Sequence, residues 1–184
     1  RWADGRLMGF ALALPRELDE QDRLRVFRAL HRQENGITKV LDTINLGRVG
    51  VWTVERITGP TQVRSLQTEP YISASRTWAT VTPIVLDRFP KARRGETSEV
   101  LVSRACERAG LPAPTKIRVS DVPQIQGVQS VGSFGKPTTK GYLKKPWHHV
   151  VLEFGEPVEG PIILGAGRYL GLGLMRRIRR ERRS

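Results

Sequence analysis

The order of local signals constrains this chain most: twice along its length an extended stretch gives way to an amphipathic helix and then to further extended stretches. Residues 7–14 set Met8, Phe10, Leu12 and Leu14 against Gly9, Ala11 and Ala13, the period of a strand with one bulky and one close-packing face. A helix is expected next, capped by Asp19, with Glu20 and Asp22 at its positive end and Leu24, Phe27, Leu30 and His31 along one side. Asn35 and Gly36 are expected to end it, followed by strands over residues 37–46 and 49–58 that turn near Gly47. The second round runs through a strand at 76–86, a helix at 97–109 closed by Gly110 and Pro112, and a strand at 116–120.

Residues 123–146, rich in Gly, Pro, Gln, Ser, Thr and Lys and without apolar periodicity, read as a long mobile loop. A strand at 148–154, a turn at 155–161, a short apolar run at 162–164, a glycine-rich loop and a last strand at 172–178 complete the chain. Two strand-helix-strand-strand rounds predict an α+β fold of two ferredoxin-like (RRM-like) units packed together, with the glycine-rich loop before the last strand. The expected division is 1–74 for the first unit, 75–178 for the second and 179–184 for a basic tail.

With 184 residues, 39% of them hydrophobic, the chain can bury a core. Its formal net charge of +13 asks for a polyanionic partner, and nucleic acid fits best. Most of the cations are arginine, whose planar fork grips phosphate oxygens in pairs and stacks on bases. The single cysteine, Cys106, excludes an intrachain disulfide and a cysteine-based zinc site; it sits beside Val102 on an apolar helical face and reads as core in a reducing, cytoplasmic protein. No apolar run approaches the roughly 20 residues of a membrane helix, and residues 7–14 run through Pro15 into an acidic helix start, unlike a signal peptide. The chain begins at Arg1, and the expectation is that it is one part of a longer polypeptide.

Gly165, Gly167, Gly171 and Gly173 flank Arg168 and Tyr169. Glycine lets main-chain N–H groups approach a phosphate closely, and Arg168 adds charge there; the alternative is a tight connection packed on the sheet. No Walker spacing is present. The arginines of the C-terminus, Arg176 and Arg177 followed by Arg179, Arg180, Arg182 and Arg183, are dense enough to repel one another without a polyanion. The carboxylates show no ligand spacing, so neither a metal nor a cofactor is expected.

The stretch GPIILGAGRYLGLGL, preceded by WHHVVLEFGEPVEG, resembles the C-terminal signature of the RAMP superfamily of CRISPR-associated proteins. Together with SRTWATVTPIVLDRFPK at residues 75–91, it is similar to the fused backbone-subunit and endoribonuclease family of type I-G (formerly I-U) CRISPR systems. The resemblance implies a domain that binds the hairpin of a CRISPR repeat, cuts the precursor transcript without metal, and stays on the product as a subunit of the effector complex. It also implies, as partners, the other subunits of that complex and a backbone-subunit domain preceding this chain in the same polypeptide. A non-catalytic RAMP-fold subunit that only caps the hairpin, and a basic structural protein of a ribonucleoprotein, are the competing readings.

Metal-free cleavage needs a base for the ribose 2′-hydroxyl, and histidine suits that task. Strand alternation puts His149 with Val151 and Glu153, opposite Val150, Leu152 and Phe154, so His149 is expected to look outward and is the first candidate. His148 is expected to pack. His31 falls one turn after Phe27 on the buried side of its helix, yet similar enzymes keep a catalytic histidine in or after this helix, which makes His31 the second candidate. Tyr169 can orient a group, stack a base or simply pack, and Lys144, Lys145 and Arg168 are candidate charge stabilisers.

Overall fold

The computed structural model describes residues 10–12, 14, 17–57, 59, 62, 66–134 and 144–178. The chain forms two compact units, one spanning residues 6–67 and one built from Thr68 onward. The architecture is α+β, helices and antiparallel strands in both units. No described helix is long and apolar enough to cross a membrane.

The 6–67 unit opens with α1 (Glu20–Ala29), where the Asp19 carboxylate accepts from Asp22 N–H at 2.8 Å, the cap the sequence asks for. The helix stops at Ala29, earlier than expected. The reason is the Asn35-Gly36 pair: with φ of 52° and 77° it makes the two-residue primed turn of a hairpin and not a helix end. It joins β1 (His31–Glu34) to β2 (Ile37–Val40), so that His31 pairs with Val40 and stands on a strand. A second short hairpin joins β3 (Thr43–Asn45) to β4 (Val51–Thr53), in place of the two long strands expected there. No described residue of this unit is buried. The strand expected at residues 7–14 lies mostly outside the described residues; Phe10, Ala11, Leu12 and Leu14 are in no strand.

The second unit contains α2 (Glu69–Ile72), β5 (Ser75–Thr80), β6 (Ile84–Val85), α3 (Ser98–Arg108), β7 (Lys116–Ser120), β8 (Trp147–Val158) and β9 (Met175–Arg177). Its strands pair antiparallel in the order β9-β5-β8-β7, the order of a ferredoxin-like sheet, with β6 beside the first two residues of β8. The single strand expected at 76–86 is split at residues 81–83, where Pro83 cannot donate to a ladder. Thr97 caps α3 by accepting from Val100 N–H at 3.4 Å.

Leu101, Val102 and Cys106 of α3 pack on Trp78 of β5 and on Val150, Leu152 and Phe154 of β8. Cys106 is core, and burial pushes its thiol up to about 12. The opposite face is covered as well. Val131 and Phe134, in the segment expected to be mobile, close over Trp147, Val85 and Leu172, and the Phe134 and Trp147 rings meet at 6.2 Å. A strand covered on both sides carries apolar residues at both parities, as Trp147 to Leu152 do.

Candidate nucleic-acid interface

The glycine-rich loop is the tip of a narrow hairpin. Ile163 bridges Leu174, Leu164 N–H bonds the Gly173 carbonyl at 3.1 Å, and Met175 N–H bonds the Ile162 carbonyl at 2.9 Å. The tip lies along the 83–85 segment: Ala166 N–H bonds the Val85 carbonyl and Gly173 N–H that of Pro83, each at 2.9 Å. Side chains have no room there. A Cβ at Gly165 would stand 2.5 Å from the Val85 carbonyl, one at Gly173 would overlap the Leu164 carbonyl, and one at Gly167 would meet Leu172 Cδ1 at 2.7 Å. Gly171, at φ 74°, faces open space and needs glycine for its backbone alone.

The amides of Ala166, Arg168, Leu170, Gly171, Leu172 and Gly173 all donate within the fold. Close packing thus accounts for most of the glycine pattern, and the charge and the aromatic face of the loop lie on its exposed side chains. Between the glycine pairs, a 3-10 turn (Arg168–Leu170) presents Tyr169, 85% exposed. The Arg168 guanidinium lies over its ring at 4.5 Å and donates to its hydroxyl at 3.1 Å. A flat cation-aromatic pair held clear of the core offers both a stacking face and a charge.

The same end of the sheet collects the lysines. Leu86 N–H bonds the Pro146 carbonyl at 3.0 Å, so Lys144 and Lys145 enter β8 on one side of the 84–86 segment while Gly165 and Ala166 lie on the other. Arg176 and Arg177 stand farther down, opposite Ala79 and Trp78. Arg177 pairs with Glu69 and, with Arg76, lines a cleft of about 630 Å³ at the 75–77 end of β5. Arg179, Arg180, Arg182 and Arg183 lie outside the described residues.

The two adjacent histidines exchange the exposures expected of them. His149 is 2% exposed, because the covered face of the sheet is the one it occupies. Its Nε2 donates to the Gln129 carbonyl at 2.9 Å, which leaves Nδ1 to accept from the Thr80 hydroxyl at 3.0 Å. Burial holds its pKa below the usual imidazole value, against the opposing pull of those hydrogen bonds. Both nitrogens of a neutral ring are engaged, and neither can take a proton from a bound ribose. His148 lies on the α3 side, part-exposed, and its Nδ1 is 3.1 Å from Asp121 Oδ1.

A carboxylate there fixes the proton on Nδ1 and leaves the Nε2 lone pair as a base. The register pairs Ser120 with His149, so Asp121 follows β7 next to His148; that adjacency was legible once β7 and β8 were paired. Glu99, in the first turn of α3, is held below the usual carboxylate range by the Thr97 hydroxyl first and by a backbone N–H next, with His148 as the least contributor. His31 is half-buried at the start of β1, and its Nδ1 donates to the Phe27 carbonyl at 2.5 Å. No three His, Cys, Asp or Glu residues converge as metal ligands among the described residues.

Residues 60–177, well over half the chain, match the model of a family described as CRISPR-associated protein, GSU0054 family. No curated protein and no solved structure matches the chain.

Proposed function

We propose, from the premise that the chain belongs to the GSU0054 family of CRISPR-associated proteins, that the unit from Thr68 onward binds the repeat hairpin of CRISPR RNA and cuts the precursor without a metal ion. The observation that carries this reading is the His148–Asp121 pair, a partly exposed imidazole oriented by a carboxylate at the end of the sheet where Lys144, Lys145 and the Arg168 loop gather. His149, the first candidate from sequence, serves the fold instead: its ring ties β8 to Thr80 and to the segment around Gln129.

In this reading His148 Nε2 takes the proton of the ribose 2′-hydroxyl. The oxygen attacks the adjacent phosphorus, the bond to the 5′-oxygen breaks, and the products are a 2′,3′-cyclic phosphate and a 5′-hydroxyl once the leaving oxygen is protonated. Lys144 and Lys145, four and three residues before His148, are the cations that precede it at the entry to β8, and in this reading they offset the growing charge of the phosphate. The Arg168–Tyr169 pair holds an unpaired base of the hairpin by stacking. The effector complex of a CRISPR system supplies the protein partners, and the product hairpin stays bound as the 3′ end of its guide.

Incubation of the full protein with a single repeat RNA in EDTA tests the proposal, with one cut and a 2′,3′-cyclic end expected. His148→Ala lowers the rate by roughly 100- to 10,000-fold and leaves hairpin affinity in place. His149→Ala lowers the melting temperature first, and its activity follows the folded fraction. Undiminished cutting by His148→Ala passes the base to His31, and binding without any cut makes the chain a capping subunit.

A further inference from the structure

Between β6 and α3 the chain makes a turn whose charges are unevenly matched. Asp87 at its start pairs with Arg108 of α3. Glu96 at its end accepts from Arg88 Nε at 3.1 Å and Nη2 at 2.5 Å, and from Arg104 Nη1 at 2.6 Å. The Glu96 side chain is 12% exposed, and the Arg88 hydrogen bond first, then Arg104, holds its carboxyl below the usual carboxylate range. Both ends of the turn are therefore tied to α3 or to each other. Its middle is closed by the Lys91–Glu96 bridge and by Arg94 N–H on the Lys91 carbonyl at 2.8 Å.

The two acids are taken by Arg88, Arg104 and Arg108, which leaves Lys91, Arg93 and Arg94 exposed and without an ion-pair partner among the described residues. Beside them Phe89 is 62% exposed, and Pro90 after it confines its backbone to extended conformations. Three unmatched cations within four positions repel one another, and an exposed phenyl ring gains nothing from water. A ligand that offers phosphates and flat apolar faces in alternation reverses both costs. Single-stranded nucleic acid has that chemistry, whereas an acidic peptide supplies charge without the faces. The turn also starts close to the histidine site, since Leu86 N–H is bonded to the Pro146 carbonyl, two residues before His148.

We propose that Phe89, Lys91, Arg93 and Arg94 form a second RNA site, which takes a single-stranded stretch with its phosphates on the three cations and one base on Phe89. Its service to the strand flanking the repeat hairpin rests on the function proposed above; the site itself does not.

The test uses the full protein and two probes, oligouridylate and a repeat hairpin without flanks, each titrated over a salt series. For oligouridylate, Lys91→Ala/Arg93→Ala/Arg94→Ala makes the slope of log affinity against log salt shallower by about 0.7 per lost phosphate contact, about 2 in all. Phe89→Ala lowers the affinity roughly 5- to 100-fold at unchanged slope, and Phe89→Trp restores it. Poly-glutamate at matched charge does not displace the RNA. The site is overturned if the wild type does not bind oligouridylate, if the triple variant keeps the wild-type slope, or if poly-glutamate competes equally. Binding of oligouridylate in the expected manner with no binding of the bare hairpin upholds this site and sinks the hairpin reading; hairpin binding with an oligouridylate slope unmoved in the triple variant does the reverse.

Discussion

The two units use the same local vocabulary to different effect. Both contain a capped amphipathic helix and antiparallel strands, but among the described residues only those of the unit from Thr68 onward bury their apolar side chains. Its β8 runs from Trp147 to Val158 and is flanked by β5 and β7, with β9 beyond β5, so α3 has a continuous sheet to lie on. In the 6–67 unit each hairpin has strands of three or four residues and, among the described residues, no third strand. Such ribbons bury little. Leu24 and Phe27, the apolar stripe of α1, stay exposed, as do Ile37, Val40 and Val51 on the hairpins. Amphipathic patterning announces a face, and the length and number of strands decide whether anything covers it.

The largest expected effect tests that contrast at the centre of the sheet. Trp78 is fully buried between α3 and β8, and its indole N–H reaches the Ser75 carbonyl at 3.0 Å. Trp78→Ala should cost about 3–5 kcal/mol, a large share of the roughly 5–15 kcal/mol by which a domain is stable, as read from urea midpoints. A loss under about 1 kcal/mol would mean that the packed unit is no better consolidated than the other.

A middle-sized effect separates two glycines within the packed unit. Gly171 and Gly173 have nearly equal positive φ, but only Gly173 lies against a backbone carbonyl. Gly171→Ala should cost about 1–2 kcal/mol from its backbone angle alone, and Gly173→Ala about 3 kcal/mol or more, because Leu164 must also move. Equal losses would show that the loop is not seated on the 162–164 segment as described, and would return its glycines to a purely conformational role.

These contrasts also show how far residues alone could lead. Helix α3, β7 and the glycine-rich loop were legible because each carries a local chemical signal: a closing Gly110 and Pro112, a period, a run of glycines. The exposures of His148 and His149 were not. Alternation correctly sets Val151 with His149, but deciding which parity faces water requires knowing what covers the second face. That cover comes from Val131, Phe134 and Leu172, two of them in a stretch with no periodicity. The apolar character of Trp147 and Val151 on the same parity as His149 was the available hint. Asn35-Gly36 carried a hairpin signal that outweighed its helix-ending one. The exposure of Tyr169 had no sequence signal separating it from a packed aromatic.

The smallest expected effect bears most directly on the comparison. If α1 has no apolar cover in the folded chain, Leu24→Ala and Phe27→Ala remove side chains that water already reaches. Each should then change stability by less than about 0.5 kcal/mol, within the ordinary range for surface positions. The helix itself tolerates the change, since Ala is the best helix former and the Asp19 cap is untouched. Hydrogen exchange supplies the second measurement: amides of α1 and of the β1–β2 hairpin should exchange through local opening, well before those of β5 and β8. A loss of 2 kcal/mol or more from either substitution, the scale of a core truncation, would show that α1 is buried in the folded protein. Exchange from α1 as slow as from β8 would show the same thing independently, and the two units would then differ in their strands but not in their cores.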